Sequence, residues 1–433
     1  MNYEVIALIL FALIFLFLLS GYPVAFVLGG LSVIFGILFV PDFLDFLPLR
    51  IMGTIQNYVL LSVPLFVFMG LVLEKSGIAE ELLTSMGVLF GRVKGGLAYS
   101  VVIVGTLLAA STGIVGATVI AMGLISLPVM LRKNYSVPLA TGIIVSSGTL
   151  GQIIPPSVIL VLLGSVMNVP VGDLFKAAVV PGLFLVACYI LFIFVFSLVW
   201  PDKVPPLPKE EIDDYKKNRY VAKLLKSFLY PMVLIVSVLG VIFSGIASPT
   251  EAAAVGALGA VILTLVQKKL SWSLLKSVSV ETTHLTSMVF MILIGATTFS
   301  LVFRGLGGDR MLVDIIEGSN LSPHQFLLLV MVLVFIAGFF IDFIEIIFII
   351  VPIVSPIFAK FHMDPLWIGI LLALNLQTSF LTPPFGFALF YLKGVAPPEV
   401  KTSDMYRGIV PFILIQLLIL LMVAIFPETI RLI

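Results

Sequence analysis

Apolar runs of about twenty residues, the length that crosses a bilayer, recur along the whole chain and fix its solvent before anything else. Ile6 to Leu19 and Val24 to Val40 carry no charge at all. Of 433 residues 61% are hydrophobic and 11% charged, against about 25% charged in an ordinary soluble domain. There is too little polar surface to cover a water-soluble core, which excludes a soluble enzyme. A net charge of +1 without a long basic run argues against nucleic acid as a partner. One cysteine, Cys188, excludes an internal disulfide framework, and His284, His324 and His362 have no metal-ligand spacing. The first twenty residues lack a basic n-region and a small-residue cleavage site. They pass through Ser20-Gly21-Tyr22-Pro23 into the next apolar run, so they read as a retained helix. The fold class is an all-α polytopic membrane protein.

Straight spans are predicted near 3–20, 22–40, 55–74, 174–200, 227–246, 251–267, 283–303 and 409–427. Four stretches, 96–132, 138–168, 325–360 and 366–394, are too long, or too interrupted by Gly, Pro, Ser and Thr, to be straight spans. Irregular backbone at membrane depth is tolerated only where protein buries it or a wet cavity is lined, so function is sought here. The spans 96–132 and 325–360 read as re-entrant hairpins with tips at Ala110 to Thr118 and Phe340 to Glu345. The other two read as helices broken in mid-membrane, at Ser146 to Pro156 and Asn375 to Gly386, each with a Pro-Pro that no helix interior accommodates.

Three helices, a hairpin, a broken helix and one more helix therefore occur twice, in 1–200 and 227–433, joined by a Pro-rich then charged linker at 201–226. A hairpin adds no crossing, so each half crosses five times and the halves are inverted. The positive-inside rule agrees: the loops this topology places in the cytoplasm hold 18 of the 24 Lys and Arg residues. Both chain ends then lie outside, the first hairpin enters from the cytoplasm and the second from outside. Arg92, Lys94, Arg132 and Lys133 read as topology anchors. The amphipathic stretches 74–95 and 305–320 read as interfacial arms.

Inverted repeats with discontinuous helices point to a secondary transporter whose sites lie at midplane. Broken helices expose N–H groups at one half-helix start and carbonyls at another half-helix end, which suit an anion and a cation respectively. Hard cations take oxygen ligands. Ser111, Thr112 and Thr118 with Ser146, Ser147 and Thr149 form one candidate Na+ cluster; Gln377, Thr378 and Thr382 beside Asp342 form a second. Asp342 and Glu345 are the only carboxylates between Phe326 and Ala359, where an ionised Asp costs roughly 2.5–3.5 kcal/mol on insertion scales. Cation coordination, proton carriage or substrate contact would each account for them. The plain alternative is a cap that accepts from the hairpin's own N–H groups. Ser248-Pro249-Thr250-Glu251 and Ser322-Pro323-His324-Gln325 read as capping boxes with Pro at the first helical position.

At Ser62-Val63-Pro64-Leu65-Phe66, Ser111 to Thr118, Ser147-Gly148-Thr149 to Pro155-Pro156, Ser248 to Ala253 and Thr382-Pro383-Pro384, taken in this order, the chain resembles the large membrane subunit of tripartite ATP-independent periplasmic (TRAP) transporters. The resemblance covers essentially the whole chain. It implies an elevator-type ion-transporter fold in the bacterial inner membrane that symports an organic acid anion with Na+. It also implies a periplasmic substrate-binding protein and a small four-helix membrane subunit, the latter not fused here, with membrane lipid around them and no organic cofactor. Carried over, the Na+ sites take in Ser111, Thr112, Gly113, Gly116 and Thr118 with Ser146, Ser147, Gly148 and Thr149, and Asp342 with Gln377, Thr378 and Thr382. The substrate would lie near Pro155, Pro156, Ser157, Asp342, Glu345, Asn375, Pro383, Pro384 and Gly386. Sialic-acid members usually lack an acidic residue at the place of Glu345; the chain looks more similar to the branch that carries other organic acids, including 2-oxo acids. The alternative reading is a stand-alone carboxylate carrier of the divalent-anion/sodium symporter type, without a binding protein. No catalytic pattern supports an intramembrane enzyme, and a channel would lack saturable, gradient-driven uptake.

Overall fold

The computed structural model describes residues 3–113, 115–216, 220–318, 321–384 and 386–432. Ile114 of the first tip, Phe385 of the second break and linker residues 217–219 lie outside the described residues. The first half runs α1 (Tyr3–Leu19), α2 (Val24–Phe39), short α3 (Pro41–Leu44) and α4 (Leu47–Ile55), α5 (Ser62–Lys75), α6 (Ile78–Leu89), α7 (Gly96–Thr112), α8 (Val115–Arg132), α9 (Val137–Gly148), α10 (Val158–Met167) and α11 (Val171–Val199). After α12 (Lys209–Lys216) the second half runs α13 (Tyr220–Phe243), α14 (Pro249–Val266), α15 (Trp272–Gly305), α16 (Gly308–Gly318), α17 (Pro323–Ala337), α18 (Phe343–Ile349), α19 (Val351–Lys360), α20 (Pro365–Leu381), α21 (Phe387–Val395) and α22 (Thr402–Ile425). Each expected straight span coincides with a helix. Among the described residues seven helices are long and apolar enough to cross a membrane by themselves, and α18 with α19, bent by 51°, forms one more span or a re-entrant loop.

Both hairpins close on themselves. The Leu97 N–H at the start of α7 donates to the Tyr135 hydroxyl just beyond α8 at 3.3 Å, and burial pushes that phenol well above the ordinary tyrosine range. In the second hairpin Phe326 of α17 meets Phe358 of α19 with ring centroids 5.0 Å apart. The Ser248 and Ser322 capping boxes are both formed, each with the serine accepting from the third backbone N–H and Glu251 or Gln325 accepting in return.

Four features add to the sequence-based picture. Residues 41–55, between the second and third expected spans, form α3 and α4. The span expected at 283–303 is the end of a 34-residue helix, α15, because a helix continues past the bilayer wherever Ser271 can cap it and polar side chains meet water. The arm α6 is packed onto the protein: most of its residues are buried, against α7 and α13. The linker is strapped to the base of the first hairpin. Gly95 N–H donates to the Val204 carbonyl at 2.9 Å, Leu207 N–H to Gly91 at 2.8 Å and Ser136 N–H to Lys203 at 3.0 Å.

Candidate functional site

The first tip is a cluster of neutral oxygens. Helix α7 ends where Gly113 turns left-handed, φ 62°, a conformation that side chains other than Gly adopt at a cost. Around it the Thr112 and Thr118 hydroxyls meet at 2.7 Å, and Ser111 and Thr112 each donate to the Leu108 carbonyl. In the facing break Ser146, Ser147 and Thr149 donate to the carbonyls of Ile143, Ile144 and Ser146. A hydroxyl that spends its hydrogen on its own helix keeps lone pairs to offer elsewhere, which is the donor set a small hard cation takes.

Small residues bring these oxygens together. A Cβ on Gly70 would lie 2.2 Å from Thr112 Cα, one on Gly151 2.3 Å from the Ala109 carbonyl oxygen, one on Gly105 2.7 Å from Ser147 and one on Gly148 2.6 Å from Val119. The predicted first cluster is therefore assembled by backbone-level contact between α5, the hairpin and the first broken helix. Beyond it Pro155-Pro156 is a cis pair. Ser157 caps α10, and its hydroxyl donates to the Gln152 carbonyl at 2.7 Å.

The second tip is built differently. Asp342 caps α18: Oδ1 accepts from Phe343 N–H at 2.6 Å, and Glu345 Oε2 accepts from Asp342 N–H at 3.3 Å. The capping alternative for these two carboxylates is thus realised, with Asp342 still facing a cavity. Tip and break meet through Gly338 against Ser379, Phe343 against Phe380 with centroids 5.6 Å apart, and Asn375, whose amide donates to the Met331 carbonyl at 2.8 Å. Asn375 thereby serves as a cross-link from α20 to α17. Thr378 and Thr382 donate to the carbonyls of Leu374 and Thr378. The Pro383-Pro384 pair is also cis, the Tyr406 hydroxyl donates to the Pro384 carbonyl, and Gly386, φ 40°, starts α21.

A cavity of about 310 Å³ lies between the tips. Gly113 and Gly116 of the first tip, Asp342 of the second, Val158 at the start of α10, Phe380 and Tyr391 line it, and α15 closes it with Glu281 and Thr286. Of the residues expected at the substrate, only Asp342 lines this cavity; Glu345, Asn375, Ser157, Gly386 and the four prolines are not among its walls. Four participants escaped sequence reasoning. Tyr391 packs against the first tip, 3.2 Å from where a Gly116 side chain would begin. Glu281, ion-paired with Lys75, and Thr286 sit on the unexpected extension of α15 and its continuation. Gln152 and the predicted Gln377 are both fully buried with unpartnered amides; a buried glutamine beside each Pro-Pro was the available signal.

Two carboxylates and no Lys or Arg line the central cavity among the described residues. Glu281 is ion-paired with Lys75, so Asp342 is the carboxylate whose charge an entering anion meets in low dielectric.

Residues 11–429 match the family described as "Tripartite ATP-independent periplasmic transporter, DctM component". The chain is 33% identical over 92% of its length, and 91% of the relative's, to a C4-dicarboxylate TRAP transporter large permease protein of Pseudomonas aeruginosa. It is 31% identical over 95% of its length, and 94% of the relative's, to a sialic acid TRAP transporter large permease protein of Vibrio cholerae. A third relative, an ectoine TRAP transporter large permease protein of Halomonas elongata, is 29% identical over 95% of each chain. Among solved structures, the Alcanivorax borkumensis YdaH transporter superposes with a TM-score of 0.62 at 12% identity, over 99% of this chain and 98% of that one, which shows a shared fold.

Proposed function

The chain belongs to the DctM component family of tripartite ATP-independent periplasmic transporters, and from that premise we propose that it carries an organic anion inward together with Na+. It is a multi-pass permease subunit, not an enzyme. In this reading the chain works with a small membrane subunit and receives its cargo from a periplasmic binding protein. The observation that carries the proposal is the central cavity, flanked by both tips and lined by Asp342 and Glu281 without a basic side chain. Such a cavity admits a carboxylate only when cations have bound first, which ties the movement of one to the other.

The two halves act as inverted repeats: three long helices, an amphipathic arm, a hairpin, a broken helix and a closing helix follow in the same order in each. Hairpins and broken helices form the moving unit of an elevator, with Na+ held by Ser111, Thr112, Thr118, Ser146, Ser147 and Thr149 on one side and by Asp342, Gln377, Thr378 and Thr382 on the other. Helices α5, α14 and α15 belong to the part that stands still. Ion pairs brace that part across the halves, Lys75 to Glu281 and Lys269 to Glu81 at 3.0 Å.

The test needs no substrate, because a ligand that binds only the folded state raises stability. Melting temperatures are recorded for the purified chain in NaCl, KCl and choline chloride at equal ionic strength, for wild type and Asp342→Asn. A Na+-specific rise that shrinks in the variant is expected. Identical melting in all three salts would remove Na+ coupling. Saturable uptake by this chain alone, without binding protein, would turn the proposal towards a stand-alone carboxylate carrier.

A further inference from the structure

We propose that the chain has a second anion site, an outer vestibule in which Arg50 and Arg304 hold a carboxylate before it reaches the central cavity. The inference rests on the reading of the cargo as an organic anion. A cleft of about 930 Å³ opens between α4, the end of α10, α15 and α18. Arg50 and Arg304 line it, with Asn57, Asn168, Thr297 and Ser300 among its polar groups, and no Asp or Glu does among the described residues. Its charge is therefore opposite to that of the central cavity. Arg304 is half-exposed, with its nearest carboxylate, Asp309, at 3.9 Å, a separation at which an exposed pair is weak. A smaller cavity of about 400 Å³ shares Ser300, Arg304 and Pro352 with the cleft and adds Arg310, balanced by Asp309 and Asp314.

The placement is selective. The loop-charge assignment puts six Lys and Arg residues on the outer side: Arg50, Lys176, Arg304, Arg310, Lys360 and Arg431. Three of them gather at this pair of cavities, on a face otherwise poor in cations. Topology alone has no use for that arrangement, whereas a guanidinium pair beside amides and hydroxyls is a carboxylate-binding set.

The vestibule also lies on the line to the central cavity. The same three segments wall both. Asn57 and Leu60 face the vestibule where Val63 and Val67 face the cavity, Ser165 stands against Val158 on α10, and Phe348 against Ile344 on α18. Seven residues of helix separate Ser165 from Val158, about 10 Å along the axis. Between them the floor is shut by buried Leu60 and Phe348 and by the Asn57 side-chain amide, which donates to Ser165 Oγ at 2.9 Å. A carboxylate at the arginines would wait one closed layer above the site where cations can accompany it. An oppositely charged funnel of this kind raises the local concentration of its ligand.

The test labels a cysteine at Ser300, in the wall common to both outer cavities, in the full chain carrying Cys188→Ala. Rates are measured with an anionic sulfonatoethyl and a cationic trimethylammonioethyl methanethiosulfonate, with succinate and pyruvate as dianionic and monoanionic probes at constant ionic strength. The anionic reagent should react faster, and that preference should fall about tenfold in Arg50→Gln/Arg304→Gln. Either probe should slow labelling saturably, with the half-protecting concentration raised at least tenfold in the double variant. An unchanged rate with the uncharged methyl methanethiosulfonate confirms an intact fold. Absence of protection by both probes, or equal protection in the double variant, overturns the site. Protection by the purified binding protein alone would also overturn it, reassigning the arginines to protein docking. The Na+ melting shift, taken on the same samples, keeps the two readings apart: with the shift present and protection absent, only the vestibule fails.

Discussion

The two hairpin tips face each other across one cavity and are made by opposite means. The first carries no charge. Its hydroxyls are fastened to their own helix carbonyls, and the hairpin is pressed onto α5 and the broken helix at Gly70 and Gly151, where a Cβ would strike backbone. The second carries two carboxylates in a capping box and meets its break through side chains, Gly338 on Ser379 and Phe343 on Phe380. Backbone contacts have one geometry, whereas side chains can turn. The first tip is therefore the rigid, neutral half of the site, and the second the charged, adjustable half.

The largest effect should come from breaking that rigidity. Gly151→Ala places a methyl 2.3 Å from the Ala109 carbonyl oxygen, where only a shift of the whole hairpin relieves it; overpacking of this kind costs about 3 kcal/mol. Gly338→Ala meets a single side chain instead, Ser379 with Oγ at 2.1 Å and Cβ at 2.6 Å, so the loss should be recovered when that side chain is removed. Thermal unfolding of both variants, and of Gly338→Ala with Ser379→Gly, checks the difference. If Gly338→Ala proves as damaging and the second change restores nothing, the second tip is as rigid as the first.

Next in size is the charge of the second tip. Asn caps a helix about as well as Asp, so Asp342→Asn keeps α18 while removing the carboxylate from the cavity wall. The concentration of Na+ that half-saturates the melting shift should rise about tenfold, equivalent to about 1.4 kcal/mol. Glu345→Gln preserves the capping box and alters a side chain that does not line the cavity, so the Na+ dependence should hardly move. Equal effects of the two would mean that the pair acts as a unit and that cavity lining does not separate them.

This contrast was half legible in the sequence. Apolar length marked every straight span as a helix, and Pro-Pro marked the gaps before α10 and α21, because in a bilayer the backbone must satisfy itself and departures from helix leave a mark. The hydroxyl cluster of the first tip was legible for the same reason. Asp342 was found by the cost of its charge, but its cap and its cavity-facing position are simultaneous, which sequence had posed as alternatives. Glu281 and Thr286 went unseen since they come from a helix that looks ordinary, and Tyr391 because it lies past the Pro-Pro of the second break, away from the polar residues that mark it. Glu281 falls in the polar extension of α15, where a hydropathy window reads loop. Their role depends on which face of a helix meets the tips, a matter of packing that local sequence does not carry.

Within the first tip a smaller effect should follow from Thr112→Val, which removes the 2.7 Å contact with Thr118 at roughly 1–1.5 kcal/mol. Thr118→Val should cost about as much. The double variant should cost less than the two together, since a shared hydrogen bond is lost only once. Additive losses in thermal unfolding would show that the hydroxyls act separately, and the first tip would then be less tightly knit than its contacts indicate.

The smallest predicted effect sharpens the second tip most. Among the described residues three capping boxes of the same design occur in the second half, at Ser248 and Glu251, Ser322 and Gln325, and Asp342 and Glu345. The first two lie at exposed helix starts, where their bonds satisfy N–H groups that water could also satisfy, so Ser248→Ala and Ser322→Ala should each cost about 0.5–1 kcal/mol. Their Na+-dependent melting shift should match wild type. Ser322 begins the same hairpin whose tip Asp342 holds, at the far end of α17, so Ser322→Ala loosens that hairpin without touching the cavity. If its Na+ shift falls as far as that of Asp342→Asn, the ion responds to the firmness of the hairpin rather than to the carboxylate. If it stays whole, the same motif serves as a plain cap at Ser322 and as a charged wall of the cavity at Asp342, and depth in the membrane makes the difference.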